Sequence, residues 1–284
     1  MLLSKSASIR RVSGQVDILE IDNDLAVARI SLFGGHVLSY VPKRDGRDRL
    51  WLSEKAVLDG SKAIRGGIPI CWPWFGDHAT AGLPAHGYVR TQTWRVAECL
   101  DSQFGTTITL QPETTIAEGL KGDAELQFRV TVGSELGLQL ITTNQGDEPL
   151  AFGGALHSYF NVSDIHQTRL QGLSGEYLDK TEGYGRNQTP ELYQFDCETD
   201  RIHLIAEPIA GEQPLVIDAA GQKIEIESAG HDSVVVWNPW REKSAAMSDM
   251  ENDGYQSMLC VEAAVTQGMI LAPQAQHILS QVIR

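Results

Sequence analysis

Two polar residues stand where strand-forming sequence would otherwise be apolar. His157 lies in "FGGALHSYFNVSD" (152–164), among Ala155, Leu156, Tyr159 and Phe160. Glu262 lies in "MLCVEAAV" (258–265), among Leu259, Val261, Ala263 and Val265. An imidazole changes charge near neutral pH and a carboxylate accepts a proton, so both types suit general acid–base chemistry. An ionised glutamate is costly to bury unpaired. It needs a partner, a shifted pKa or an open cleft, and each is commoner at functional sites. Structural outcomes stand beside these. A lone histidine in an apolar strand is more often a core residue with both nitrogens satisfied, and Glu262 could sit beside a structural arginine. In a strand, alternate residues share a face, which puts His157 with Ala155 and Tyr159, and Glu262 with Cys260 and Ala264. Such small neighbours as Ala155, Cys260 and Ala264 leave room for a ligand.

Two irregular stretches supply basic and aromatic residues. "AIRGGIPICWPWFGD" (63–77) holds three glycines, two prolines and two tryptophans, so it cannot be regular strand. "AGLPAHGYVRTQTW" (81–94) places His86 and Arg90 around Gly87. Long irregular segments on a rigid scaffold are favoured places for binding residues, although tryptophan-rich plugs closing a sandwich would read the same way. Neither stretch is a phosphate-binding P-loop, no G-x-G-x-x-G opens a helix, and no G-x-S-x-G elbow occurs. No H-x-H or H-E-x-x-H offers metal ligands. What remains is a site built from histidine, carboxylate and arginine, with no metal and no cofactor expected.

The elements that must position these residues follow a period of two. "ELQFRVTV" (125–132) alternates Leu126, Phe128, Val130 and Val132 with polar partners, and "TTITLQP", "LGLQLITTN" and "QKIEIES" read alike. "SVVVWNP" is a short β-branched run. "KRDGRD", "NQGDEP" and "DAAGQK" punctuate the strands as turns. Helical sequence is scarce; "EKAVLDG" (54–60) and "AAMSDMEND" (245–253) are the two short candidates. With no repeat, low-complexity tract or linker, residues 1–284 are expected to form one domain. The fold class is all-β, a large antiparallel β-sandwich with few short helices.

Composition narrows the partners. The 284 residues carry 23 Lys+Arg against 37 Asp+Glu, a net charge of −14. Such a surface repels nucleic acid and anionic membranes. A small anionic substrate is compatible only where a few basic residues reverse the field locally. Cys71, Cys99, Cys197 and Cys260 are widely spaced, and four reduced thiols are expected. "MLLSKSASIR" is too short and polar for a signal peptide, and no apolar stretch approaches the ~18 residues that span a bilayer. A cytoplasmic protein with no obligate protein partner is the expectation.

The blocks "IRGGIPICWPWFG", "LPAHGYVR", "ALHSYFNVSDI", "ETDRIHL", "VVWNPW" and "NDGYQSMLCVEAA" together resemble the hexose-6-phosphate mutarotases, or glucose-6-phosphate 1-epimerases. They occur in order from about Phe33 to Ala264, most of the chain. The resemblance implies the galactose-mutarotase-like supersandwich and cofactor-independent interconversion of the anomers of a phosphorylated aldose. It places the catalytic histidine on His157 and the catalytic glutamate on Glu262. Substrate-binding positions fall on Arg65, Arg90, His86 and Asp200. Some relatives carry Gln before the His-Gly; Ala85 stands here, and no role is assigned to it.

In the implied reaction, carboxylate Glu262 takes the O1 hydroxyl proton while protonated His157 gives one to the ring oxygen. Rotation about C1–C2 and reclosure yield the other anomer. The carboxylate is expected to keep the imidazole protonated. Arg65 and Arg90 would clamp the 6-phosphate through charge-assisted contacts, with Gly66 and Gly67 letting backbone N–H groups approach. Either arginine could instead be a surface ion pair. Trp72, Trp74 and Trp237 could stack on the sugar or simply pack. A mutarotase for unphosphorylated aldoses and a non-catalytic sugar-phosphate-binding protein are the alternatives.

Overall fold

The computed structural model describes residues 3–12, 16–205 and 214–284. Met1 and Leu2, the start of the segment read against a signal peptide, lie outside them. The strands form three antiparallel sheets among the described residues. The alternation seen in sequence is kept in space. In Ala124–Val132, Leu126, Phe128, Val130 and Val132 are buried while Arg129 is exposed. This strand belongs to a nine-stranded sheet with Leu136–Asn144, Gln276–Ile283 and Gln222–Ala229. A four-stranded sheet is built from the N-terminal strands up to His36–Pro42.

The eight-stranded sheet carries the candidate residues Asp200 and Glu262. Its centre runs Thr199–Leu204, Ser233–Asn238, Met258–Leu271, Leu150–Leu156. Residues 258–265 are buried on both faces, for two different reasons. Leu259, Val261, Ala263 and Val265 join the main core together with Leu126, Phe128 and Val130 of the nine-stranded sheet. Cys260 and Ala264 point the other way, into two smaller clusters with Trp237, Tyr159, Val235 and Ala155. Glu262 shares that second face by strand alternation. Covering this face are the irregular segments, which turn an outer sheet surface into the base of a cavity.

The helix expectations need correction. Residues 54–60 contain no helix: the Ser53 side chain accepts from the Lys55 N–H and turns the chain instead. A hydrogen-bonding hydroxyl at that point competes with helix initiation, and seven residues are too few to nucleate without packing. The single α-helix among the described residues is Trp240–Ala246, which overlaps only the start of 245–253. Its first turn is anchored by Asn238, whose Oδ1 accepts from the Trp240 N–H at 2.9 Å. All four cysteines are free thiols, and only Cys197 is exposed. Among the described residues, no helix is long and apolar enough to cross a membrane.

Candidate active site

Strand register sets His157 opposite Glu262. Ala155 and Leu156 pair with Ala264 and Ala263, and Tyr159 pairs with Cys260. The same register, carried through the gap, brings 157 to 262. The run is not one continuous strand, however. It breaks at His157–Ser158, while the His157 N–H donates to the Pro69 carbonyl at 3.0 Å, in register with the pairing of Leu156 to Ile70. His157 Nδ1 lies 3.3 Å from Glu262 Oε1, and the rings of His157 and Tyr159 stack at 4.9 Å.

These groups lie in a cavity of about 400 Å³. All six residues singled out from sequence line it: His157, Glu262, Arg65, Arg90, His86 and Asp200. Asp200 arrives by register, since it pairs with Trp237, which in turn pairs with Cys260. Arg90 lies in the 3₁₀ turn Val89–Thr91 and donates to the Ala85 carbonyl at 2.7 Å. Ala85 therefore contributes its backbone, which a side-chain reading could not find. The His86–Gly87 turn is held against the Trp72 backbone, where a Cβ on Gly87 would come within 1.9 Å of the Trp72 carbonyl oxygen. His86 Nδ1 accepts from the Gly76 N–H.

Arg65 is not free. Its Nη1 donates to the Tyr159 hydroxyl at 3.0 Å and its Nε to Asp249 Oδ1 at 3.3 Å. The expectation that Gly66 and Gly67 open backbone N–H groups to a phosphate fails at Gly67, whose N–H donates to the Trp51 carbonyl. Close packing explains these glycines better: Cβ atoms there would stand 2.6 Å from the Trp51 carbonyl oxygen and 2.3 Å from that of Val37. Of the tryptophans, Trp237 lines the cavity. Trp72 and Trp74 pack in the core, their indole N–H groups donating to Thr142 and Pro84.

Several lining residues carry no sequence signal. Lys180, in the turn Lys180–Glu182, reaches Asp200 at 3.1 Å. Lys62 approaches Asp249 at 3.6 Å, and Lys243 enters from the helix. They lie on turns and helix ends far apart in sequence, and no local pattern distinguishes them from solvated surface lysines.

Burial sets the protonation of the central pair. It pushes the Glu262 carboxyl well above its usual range, assisted by the nearby charge of Asp200. It pushes the His157 imidazole well below its usual value, with the positive charges of Arg90 and Arg65 acting the same way. Loss of hydration thus favours the neutral form of each group and works against the carboxylate–imidazolium pair expected from sequence. Burial also lowers His86 to about 3 and raises Asp200. His157 Nδ1 and Glu262 Oε2 are buried without a hydrogen-bond partner.

Comparison with known proteins agrees with this architecture. Residues 17–284 match the family model described as aldose 1-epimerase. A Salmonella typhimurium protein provisionally named glucose-6-phosphate 1-epimerase is 34% identical, over 89% of this chain and 84% of its own length. A provisionally named glucose-6-phosphate 1-epimerase of Escherichia coli is 32% identical, over 90% and 85%. The crystal structure of a provisionally named mutarotase (YeaD) from Salmonella typhimurium superposes with a TM-score of 0.90 at 32% identity, covering 99% of this chain and 94% of that one. The all-β, galactose-mutarotase-like fold is thereby established, and the chain belongs to the aldose 1-epimerase family as a sugar epimerase of the isomerase class.

Proposed function

We propose that this epimerase interconverts the α and β anomers of a hexose 6-phosphate, glucose 6-phosphate foremost. We also infer that residues 1–284 act as one unit. The observation that carries the substrate reading is the charge around the cavity. Lys62, Arg65, Arg90, Lys180 and Lys243 face Asp200, Asp249 and Glu262. Five cations against three acids, on a chain of net charge −14, reverse the field where a dianion would enter. The relatives' names point to the same substrate.

Glu262 and His157 carry the proton chemistry in this reading. A neutral pair, which burial favours, and a carboxylate–imidazolium pair hold the same number of protons. Moving one proton across the 3.3 Å gap converts the first into the second without exchange with solvent. Carboxylate Glu262 then takes the O1 hydroxyl proton as imidazolium His157 protonates the ring oxygen, and the C1–O5 bond opens. After rotation about C1–C2, the roles reverse and the ring recloses on the other face of the carbonyl. Each positioned proton transfer is worth about 10²–10⁴-fold. Arg90 and Arg65 are assigned to the phosphate, with His86 and Asp200 on the sugar hydroxyls.

One observation favours the free-aldose alternative: Arg65 already has a carboxylate partner in Asp249. Exchange spectroscopy by NMR, comparing glucose 6-phosphate with glucose, separates the two. A much larger kcat/KM for the phosphorylated sugar is expected. Preference for glucose would overturn the proposal.

A further inference from the structure

We propose that His157 and Glu262, which line the cavity, form with Cys260, buried beside them, a three-ligand site for a thiophilic divalent cation such as Zn²⁺, and that filling it inhibits the enzyme. Among the described residues, these three bring one ligand atom each to within 4.8 Å of one another. Ligands of a tetrahedral zinc stand roughly 3.3–3.7 Å apart, given metal–ligand lengths of about 2.0–2.3 Å. His157 Nδ1 and Glu262 Oε1, at 3.3 Å, already match that spacing. The sulfur has about 1 Å to close, within reach of a side-chain rotation.

Two further observations point to a ligand here. His157 Nδ1 and Glu262 Oε2 are buried without hydrogen-bond partners, and Glu262 is only 1% exposed. Coordination gives His157 Nδ1 a partner and draws the Glu262 carboxylate into the site. Cys260 and Glu262 alternate on one rigid central strand, and His157 projects across from its neighbour, so the triad is positioned before any ion arrives. Sequence spacing conceals it, because the histidine lies more than one hundred residues from the other two.

The surroundings decide which ions fit. Arg65 and Arg90 lie near enough to act on the charge of His157, and they oppose any cation held by charge alone. Hard ions such as Mg²⁺ and Ca²⁺ are therefore disfavoured. Zinc, cadmium and cobalt gain bonds of substantial covalent character to thiolate and imidazole. Binding releases the Cys260 thiol proton and the Glu262 carboxyl proton to solvent, His157 gives a lone pair, and nothing is oxidised or reduced. Three protein ligands leave a fourth tetrahedral position for water. Both proton-carrying side chains are then tied to the metal, which is why the ion inhibits.

The inhibition rests on the acid–base reading of His157 and Glu262; the binding does not, so each is measured separately. Cobalt(II) added to the metal-free protein should produce a near-ultraviolet thiolate-to-cobalt charge-transfer band. The band should persist in Cys197→Ser, which lacks the exposed thiol, and disappear in Cys260→Ser. In parallel, Zn²⁺ should abolish anomer exchange of glucose 6-phosphate, a chelator should restore it, and Mg²⁺ in large excess should do neither. Cys260→Ser should turn over normally without metal and escape zinc inhibition. Absence of a thiolate band in the wild type, or equal zinc inhibition of Cys260→Ser, overturns the proposal. Should Cys260→Ser not fold, the cobalt spectrum of His157→Ala decides: an unchanged band excludes His157 as a ligand and with it the site. If glucose 6-phosphate proves not to be turned over, the cobalt spectra still establish or exclude the metal site.

Discussion

Two imidazoles lie against the same sheet and meet opposite fates. His203, on Thr199–Leu204, is fully buried; its Nδ1 is 3.1 Å from the Thr189 hydroxyl and its Nε2 3.0 Å from that of Tyr193. One nitrogen donates and the other accepts, so the neutral ring is complete. His157 lies across the sheet, and its Nδ1 has no hydrogen-bond partner. Alternation puts Asp200 and Ile202 on the cavity face and His203 on the other. The difference teaches how to read a buried histidine. One with its bonds complete is accounted for by the fold, whereas one left incomplete beside a buried carboxyl keeps hydrogen-bonding capacity that the fold does not use.

The sharpest way to break this comparison is to delete each ring in turn. His157→Ala and Glu262→Gln should each lower kcat by about 10²-fold or more. The double variant should be little worse than either, since the two act as a unit. His203→Gln should leave kcat nearly unchanged and instead lose about 1–3 kcal/mol of stability, as Thr189 and Tyr193 lose partners. Anomer-exchange rates and urea unfolding, measured on the same preparations, check both halves. A kcat loss in His203→Gln as large as that in His157→Ala would erase the distinction.

A second contrast lies between Arg65 and the other cations. Arg65→Ala should cost about 1.5–3 kcal/mol of transition-state binding for glucose 6-phosphate, roughly tenfold to hundredfold in kcat/KM. Slow turnover of free glucose should scarcely change. If both sugars slow equally, Arg65 serves the fold through Asp249 and Tyr159 rather than the phosphate.

These contrasts also separate what is legible in the sequence from what is not. Leu126, Phe128, Val130 and Val132 announce their strand because one face meets the core and the other is partly open. His157 and Glu262 announce themselves differently, as polar groups in strands apolar on both faces. The family resemblance then brings Arg65, Arg90, His86 and Asp200, all of which reach the cavity. Lys180 and Asp249 are not legible, because they sit on turns whose position depends on how distant strands pair. The pull of burial on the central pair is hidden for a related reason: sequence shows that two opposite charges are possible, but not that burial removes their water. The short helix lies upstream of its expected place because its start depends on Asn238 capturing the Trp240 N–H, a contact that helical patterning does not encode.

The smallest expected effect concerns acid stability. Burial lowers His203 to about 3 and His36 to about 4 from an ordinary 6.5. Between these values and 6.5 the unfolded chain takes up a proton at each site that the folded chain refuses. Their contribution to stability is therefore complete above pH 6.5 and is lost as the pH falls toward the folded-state values. Each such histidine adds about 1.4 kcal/mol per pH unit to the slope. His36 matters to the cavity as well as to the fold, because its Nε2–H donates to the Gly66 carbonyl at 2.7 Å, directly behind Arg65. Unfolding free energies measured in urea from pH 7 down to about 4 should decline less steeply for His203→Gln than for the wild type, by about that slope. The anomer-exchange rate, by contrast, should lose its acid limb only when the His157–Glu262 pair takes up a second proton, a step His203 does not share. A His203→Gln protein whose rate–pH curve moves, while its stability slope does not, would mean that the two histidines had been assigned the wrong way round.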